Sequence, residues 1–477
     1  MHSQSMFFKA RAGEKLADVQ LQKNLAGLKD KFIGMRARAV SAYGNDEAQG
    51  FDALRDAGRD IRDRVLNNLD VWLELFEANA TKRGATVLWA RDGKEICEHV
   101  IAVARQHGVK KVTKSKSMLS EEAQLNVALL AAGIQPVETD LGEYILQIDD
   151  NEAPSHILAP AAHKSLDEVA DLFARTHDKP RKTEIPALTR EAREVLREHF
   201  LTADMGISGG NFLIAETGSV ALVTNEGNGR MVTTLPRVHV VITGIEKIVP
   251  NLEDFATLMR LLPRSATGQE ISNYVSMCTG TKGGDDPDGP EHMVFILVDN
   301  GRAGLVGSGF QEMLRCIRCG ACMNHCPVYQ SVGGHAYGWV YPGPMGSVLT
   351  PLYTGIENAL DLPHAATLCN QCGVVCPVRI PLPELLRKLR EKQTDTGLRR
   401  WSERLVLTAW AWVAQRPKLY ALATRIGVRY LNWLAEGRDR IAVLGMAPGW
   451  TEGRDFPAPQ GRTFREMYKY QQERSKA

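Results

Sequence analysis

The chain has 477 residues, of which 44% are hydrophobic and 24% charged, and its formal net charge is +2. This is ordinary globular composition with room for roughly three domains of about 150 residues, and the near-neutral balance excludes nucleic acid or another strongly polyanionic partner. The opening "MHSQSMFFKARAGEKL" has neither an apolar h-region nor a small-residue cleavage site, so no secretory signal is expected; no apolar run approaches the roughly 18 residues of a membrane-spanning helix.

Residues 1–84 read as a helical region. Leu54, Ile61, Val65, Leu66, Leu69, Leu73 and Phe76 recur near helical spacing, and Gly84 ends the pattern. From 85 to 300 short β-branched runs alternate with helical segments. "ATVLWA" (85–90), "KKVTKS" (110–115), "QPVETD" (135–140), "HILAP" (156–160), "FLIAET" (212–217), "SVALVT" (219–224), "HVVITG" (239–244) and "MVFILVD" (293–299) are predicted strands. With "GKEICEHVIAVARQHG" (93–108) and "LDEVADLFART" (166–176) as helices, this is an α/β domain. "DNGRAGLVGSG" (299–309) reads as a linker, 310–395 as a cysteine module containing a Gly/Pro-rich loop at 333–348, and 396–477 as a helical C-terminal region.

Seven of the nine cysteines fall between Cys316 and Cys376, a clustering unlike a secreted disulfide framework. Cys316, Cys319, Cys322 and Cys326, followed by Pro327, form C-x2-C-x2-C-x3-C-P. This is the spacing of a [4Fe–4S] motif whose fourth cysteine binds the other cluster of a two-cluster ferredoxin. A second copy, aligned on Cys376-Pro377, has Cys372 third, Cys369 second and Ala366 where the first cysteine belongs. The crossed scheme assigns Cys316, Cys319, Cys322 and Cys376 to cluster I. Cys326, Cys369 and Cys372 fall to cluster II, which is one thiolate short. Zinc ribbons use paired C-x2-C units and four ligands, and fit seven cysteines with two Cys-Pro endings poorly. The gap at Ala366 leaves three readings: a non-cysteine ligand (His325, His335 or His364), a position open to water, substrate or a partner, or a three-iron cluster. Cysteine ligation of this kind implies a reducing, cytoplasmic setting.

The stretches "CIRCGACMNHCPVYQSVGGHAYGWVYPGPMGSVLTP" and "LCNQCGVVCPVRIPLPELL" resemble the lactate-utilization protein B family. The resemblance covers nearly the whole chain: "VTKSKSMLSEE", "ETDLGEYILQIDDNEAPSHILAPAAHKS" and "GGNFLIAETGSVALVTNEGNGR" resemble its LUD domain, and "GWTEGRDFPAPQGRTFREMYK" its C-terminal region. It implies an α/β fold similar to the NagB/RpiA/CoA-transferase group, followed by an α-helical ferredoxin-type module with the same seven-cysteine arrangement. It also implies a cytoplasmic electron-transfer subunit of L-lactate oxidation to pyruvate, acting with proteins A and C of that system.

Outside the cysteines the signals are sparser. Glu216 in "AETGS" resembles the glutamate of CoA-transferases, but Thr217 stands where their asparagine would be, so acyl or carboxylate-activating chemistry is the alternative function; the plain reading is a hairpin turn at Thr217-Gly218 and a loop at Gly227-Asn228-Gly229. "KSKSMLSEE" reads either as a solvated basic turn with a capped helix or as an anion site using Lys114, Lys116 and a helix start at Ser120. Cys97 and Cys278 read as ordinary buried thiols. From Glu384 to Lys469 there are 17 Lys/Arg against 9 Asp/Glu, a net of +8, with five of the eight tryptophans. That combination suits docking on an acidic partner, or peripheral contact with an anionic membrane; the plain reading is that these helices pack over the cysteine module and their tryptophans shield it from water.

Overall fold

The computed structural model describes residues 3–475 apart from 45, 273 and 446. It divides into two compact units, Met1–Lys392 and Gln393–Ala477.

The first unit contains ten strands: β1 (Thr86–Ala90), β2 (Lys111–Lys114), β3 (Gln135–Glu138), β4 (Met205–Ser208), β5 (Phe212–Ile214), β6 (Ser219–Thr224), β7 (Val238–Gly244), β8 (Ile248–Val249), β9 (Tyr274–Cys278) and β10 (His292–Val298). Six form an all-parallel sheet of order β1-β10-β7-β4-β2-β3. The other four form a smaller mixed sheet of order β8-β5-β6-β9. The alternation of side chains along β10 shows how the layers stack. Val294, Ile296 and Val298 enter a core with the Gly93–Gln106 helix, while Met293, Phe295 and Leu297 enter a second core with the Leu69–Lys82 helix and with Leu213, Val220 and Leu222 of the small sheet. The small sheet turns Phe212, Ile214 and Ala221 the other way, into the large core that also holds Cys319, Cys326 and Cys376. It is thus the layer that joins the α/β domain to the cysteine module.

Several predicted elements are corrected. "HILAP" is not a strand: the Nδ1 of buried His156 accepts the amide N–H groups of Leu158 (3.0 Å) and Ala159 (3.2 Å), which bends the chain. The strand predicted in "FLIAET" stops at Ile214, before the Glu216-Thr217-Gly218 turn. The Gly/Pro-rich stretch 333–348 is not all loop, since a buried helix, Gly343–Thr354, begins within it. Pro344 sits in the first turn of that helix, where an amide N–H has no helical partner anyway. The backbones there pack so closely that a Cβ on Gly346 would lie 1.6 Å from the Tyr341 carbonyl oxygen. The linker 299–309 is anchored by buried Arg302, which pairs with Glu122 (2.8 Å) and Glu246 (2.9 Å).

The Phe51–Leu66 helix carries two buried arginines. Arg62 donates to the carbonyls of Ile248 (2.9 Å), Leu314 (3.0 Å) and Glu246, tying this helix to the small sheet and the cysteine module. Arg62→Met strips buried carbonyls of their donor and should cost on the order of 3 kcal/mol. Urea unfolding of the apo chain checks this; a midpoint unchanged from wild type would contradict it.

In the second unit the helices Trp401–Ala414 and Pro417–Ala435 precede a two-residue strand pair, Arg440–Ile441 with Phe456–Pro457, and a last helix Phe464–Arg474. A capping box of Thr463 and Glu466 starts that helix. An Arg425–Glu466 pair at 2.6 Å and Arg465 over the Tyr420 ring at 5.2 Å hold it to the Pro417–Ala435 helix. No described helix is long and apolar enough to cross a membrane.

Candidate functional site

The two cysteine motifs repeat at an offset of 50 residues, in backbone as well as in sequence. Arg318 and Leu368 have φ of 58° and 56°, and Gly320 and Asn370 have 73° and 66°. A short helix follows in each, Ala321–Asn324 and Gln371–Val375. Positive φ at these positions curls the chain so that amide N–H groups face the sulfurs. The Arg318 amide donates to Cys316 Sγ at 3.4 Å and the Ile380 amide to Cys376 Sγ at 3.3 Å. The amides of Tyr329 and Val328 bond to Cys326.

The seven cysteines line two separate cavities. One is lined by Cys316, Cys319, Cys322 and Cys376, with Met313, Ile317, Met345 and Val378 around them. The other is lined by Cys326, Cys369, Cys372 and Ala366, with Pro327, Pro344 and Leu386. Cys326 therefore faces the second motif, and Cys376 the first. The donor set is what an iron–sulfur cluster needs: soft sulfurs, apolar walls and backbone N–H groups on sulfur. Of the histidines weighed for the gap, none lines the second cavity. His325 Nδ1 bonds the Ala321 carbonyl (2.9 Å) and His335 Nε2 the Ala153 carbonyl (2.7 Å).

Burial pushes the Cys319 thiol up to about 12, with the neighbouring Cys376 and Cys316 adding to it, and raises Cys372 to about 12 and Cys376 to about 11. Metal ligation requires thiolates, so loading these sites must expel protons and is favoured as pH rises. Cys369 shifts the other way. It is exposed, and hydrogen bonds from the Thr367 hydroxyl and the Gln371 amide hold its thiol below the ordinary value. Because the thiolate is the nucleophile, Cys369 should be the first of the seven to react with iodoacetamide in the apo chain, and be protected after metal loading. Peptide mass spectrometry over a time course checks this; uniform labelling of all seven would contradict it.

Cations that sequence reading missed surround the first cavity. Arg55 donates to the carbonyl of Cys376 from Nε (3.0 Å) and Nη2 (2.8 Å), and Arg36 to that of Val375 (3.1 Å). Lys247 Nζ donates to the Cys316 carbonyl at 3.3 Å. Burial and nearby Arg318 push the Lys247 ammonium down to about 7, opposed by Glu246 and Cys316.

Lys247 and Arg318 also line a third cavity of about 210 Å3 at the carboxyl ends of β2, β4 and β7. Open parallel sheets bind ligands at that edge. Ser115, Lys116, Gly209, Gly210, Asn228 and Thr243 contribute to its wall. Of the two lysines weighed for an anion site, only Lys116 reaches this cavity. Lys114 is buried in an ion pair with Glu138 at 2.5 Å. The helix there is capped by Ser117, which accepts from the Ser120 amide, so Ser120 is not its start. Glu216 is exposed in the β5–β6 turn, accepts from the Leu252 amide (3.2 Å), and is not among the residues lining the cavity. Gly218, at φ +68, fits that turn because a Cβ there would lie 2.3 Å from the Ala80 amide nitrogen. Cys97 and Cys278 are half-buried, and burial raises both thiols.

Comparison with known proteins matches residues 73–298 to the LUD domain, 312–380 to a 4Fe-4S dicluster domain, and 386–473 to the C-terminal domain of lactate utilisation protein B. Lactate utilization protein B of Geobacillus kaustophilus is 41% identical over 466 residues, covering 98% of this chain and 97% of its own. The Bacillus licheniformis protein of that name is 42% identical over 463 residues (97% and 96%), and the Bacillus subtilis one 41% over 462 (97% and 95%).

Proposed function

The chain belongs to the lactate utilization protein B family, and from that premise we propose that it is an iron–sulfur electron-transfer protein of L-lactate oxidation to pyruvate, acting with proteins A and C of the same system in the cytoplasm. In this reading Cys316, Cys319, Cys322 and Cys376 hold one [4Fe–4S] cluster and Cys326, Cys369 and Cys372 the other. The observation that carries it is the exchange of the two Cys-Pro cysteines between cavities, the hallmark of a two-cluster ferredoxin arrangement. Each cluster supplies one-electron redox chemistry when bound. The chain's residues set the surroundings. Arg36 and Arg55 bring positive charge to the first thiol set, and Lys247 donates to the Cys316 carbonyl beside it. Exposed Cys369 brings the second set to the surface, where a partner subunit has access. At Ala366 the second set is one thiolate short, to be completed by water, substrate or a ligand from a partner, or left as a three-iron cluster. The all-parallel sheet agrees with the NagB/RpiA/CoA-transferase-type lineage. The acyl-transfer alternative draws no support from exposed Glu216.

The test is anaerobic reconstitution followed by spectroscopy. Iron and sulfide should each approach about eight per chain, four for each of two cubes. L-Lactate should bleach the cluster absorbance only when proteins A and C are present. A folded sample holding stoichiometric zinc and no sulfide would overturn the assignment, and bleaching by lactate without partners would move the oxidation itself into this chain.

A further inference from the structure

The third cavity lies against the loop that carries Cys316. Lys247 reaches from the α/β domain to the Cys316 carbonyl (3.3 Å), and Arg318, two residues further along that loop, lines the same wall. The wall has four basic side chains, Lys116, Lys247, Arg302 and Arg318, against two carboxylates, Asp140 and Glu246. Glu246, together with Glu122 on Arg302, offsets the two arginines, which leaves Lys116 and Lys247 as the basic groups facing the space. Glu246 is held between Arg302 (2.9 Å) and Arg318 (3.8 Å), and Asp140 accepts the Glu143 amide as a helix cap (3.3 Å).

Four lining atoms are buried without a hydrogen-bond partner; Arg302 Nε and Glu246 Oε2 face each other in an ion pair, which leaves two. Ser115 Oγ is one, in a residue only 3% exposed, and Lys116 Nζ is the other. The nearest carboxyl to Lys116 is Glu143 at 3.6 Å, and burial pushes that carboxyl up to about 8. At that distance it is not hydrogen-bonded to the lysine ammonium. An ammonium nitrogen and a hydroxyl that are both shielded from water and without hydrogen bonds are costly unless something else satisfies them. At about 210 Å3, the space is below the roughly 300–1,000 Å3 of pockets for drug-sized ligands.

We propose that this cavity binds a small hydroxy- or oxo-carboxylate, its carboxylate between Lys116 and Lys247 and its oxygen substituent toward Ser115, beside the first thiol set. The site deepens the electron-transfer reading, since it would put a three-carbon acid next to cluster I inside this chain. The binding claim itself needs only the protein's own side chains.

Isothermal titration of the full-length, anaerobically reconstituted chain with pyruvate, L-lactate and inorganic phosphate tests it. One equivalent of pyruvate or L-lactate should bind per chain. Lys116→Met and Lys247→Met should each weaken binding at least tenfold, while Lys94→Met, on an exposed helix face, leaves it unchanged. The bound acid should also shift the electron paramagnetic resonance signal that Cys316→Ser removes. Lack of saturable binding, affinity unchanged in both lysine variants, or phosphate binding as tightly as the acids would overturn the proposal. Iron and sulfide measured on the same samples keep the two readings apart. Missing clusters with acid binding retained count against the electron-transfer reading alone, and full clusters without acid binding count against this site alone.

Discussion

Cys376→Ser is expected to remove the same cluster signal as Cys316→Ser, although the two cysteines lie 60 residues apart. Both line the cavity formed with Cys319 and Cys322, and the Ile380 and Arg318 amides point at their sulfurs. A serine hydroxyl keeps the shape but is a harder, less acidic ligand for iron. Each variant should lose close to half the iron, about four atoms of about eight, and retain the signal belonging to Cys326, Cys369 and Cys372. Cys326→Ser and Cys369→Ser should remove the complementary signal, although Cys326 belongs by sequence to the first motif. Electron paramagnetic resonance of the dithionite-reduced variants separates the two sets. If Cys376→Ser and Cys369→Ser abolished one and the same signal, each motif would be serving its own cluster and the crossing would be wrong. The second set has a thiol deficit at Ala366, so its signal should be the more labile to air, which the wild-type protein can show by itself.

The grouping of the cysteines was legible in the sequence because C-x2-C-x2-C-x3-C-P has few other uses, and the structure gathers the same residues around two cavities. Even the gap at Ala366 could be located, since Cys376-Pro377 anchors the alignment and the structure repeats the backbone at the same offset. What surrounds the thiols was not legible. The apolar spacing in "DALRDAGRDIRDR" marks a helix and says nothing of Arg55 and Arg62, which are buried and donate to carbonyls more than 180 residues away in sequence. Nothing local marks such residues, because their partners are set by tertiary packing. Lys247 follows β7 in "GIEKIV" and gave no signal for the same reason. Among the strands, β4 was missed although it lies inside the parallel sheet. "MGIS" is short and contains Gly206, whose lack of a side chain is explained only by the Val232 carbonyl, 1.9 Å from where a Cβ would be. "HILAP" erred the other way: its β-branched texture was overridden by one buried histidine bonding its own backbone.

Deleting residues 397–477 should leave iron and sulfide nearly unchanged while abolishing lactate oxidation by the chain reconstituted with proteins A and C. All seven candidate ligands lie between Cys316 and Cys376, within the compact unit that ends at Lys392. The second unit has little interior of its own. In the Trp401–Ala414 helix no residue is buried, and Trp401 and Trp433 are 77% and 72% exposed. Ala435 and Ile441 are its few buried apolar residues. Large aromatic side chains left in water forgo roughly 25 cal/mol for every Å2 of apolar surface that a partner could cover. Tryptophan flanked by arginine is also the composition of protein–protein contact surfaces. Arg416 over Trp412 (4.1 Å) and Arg454 over Trp450 (4.6 Å) place such pairs in this unit. The surplus of +8 from Glu384 to Lys469 adds long-range attraction to an acidic surface. Docking through this region would account for the positive surplus at this end of a chain with near-neutral overall charge. Activity should fall by at least a hundredfold in the truncated protein, and the association of the intact chain with its partners should weaken as salt is raised. If the truncated chain lost both clusters as well, the C-terminal unit would be a structural cover for them. If it kept both clusters and full activity with A and C, partner docking would have to lie elsewhere on the surface.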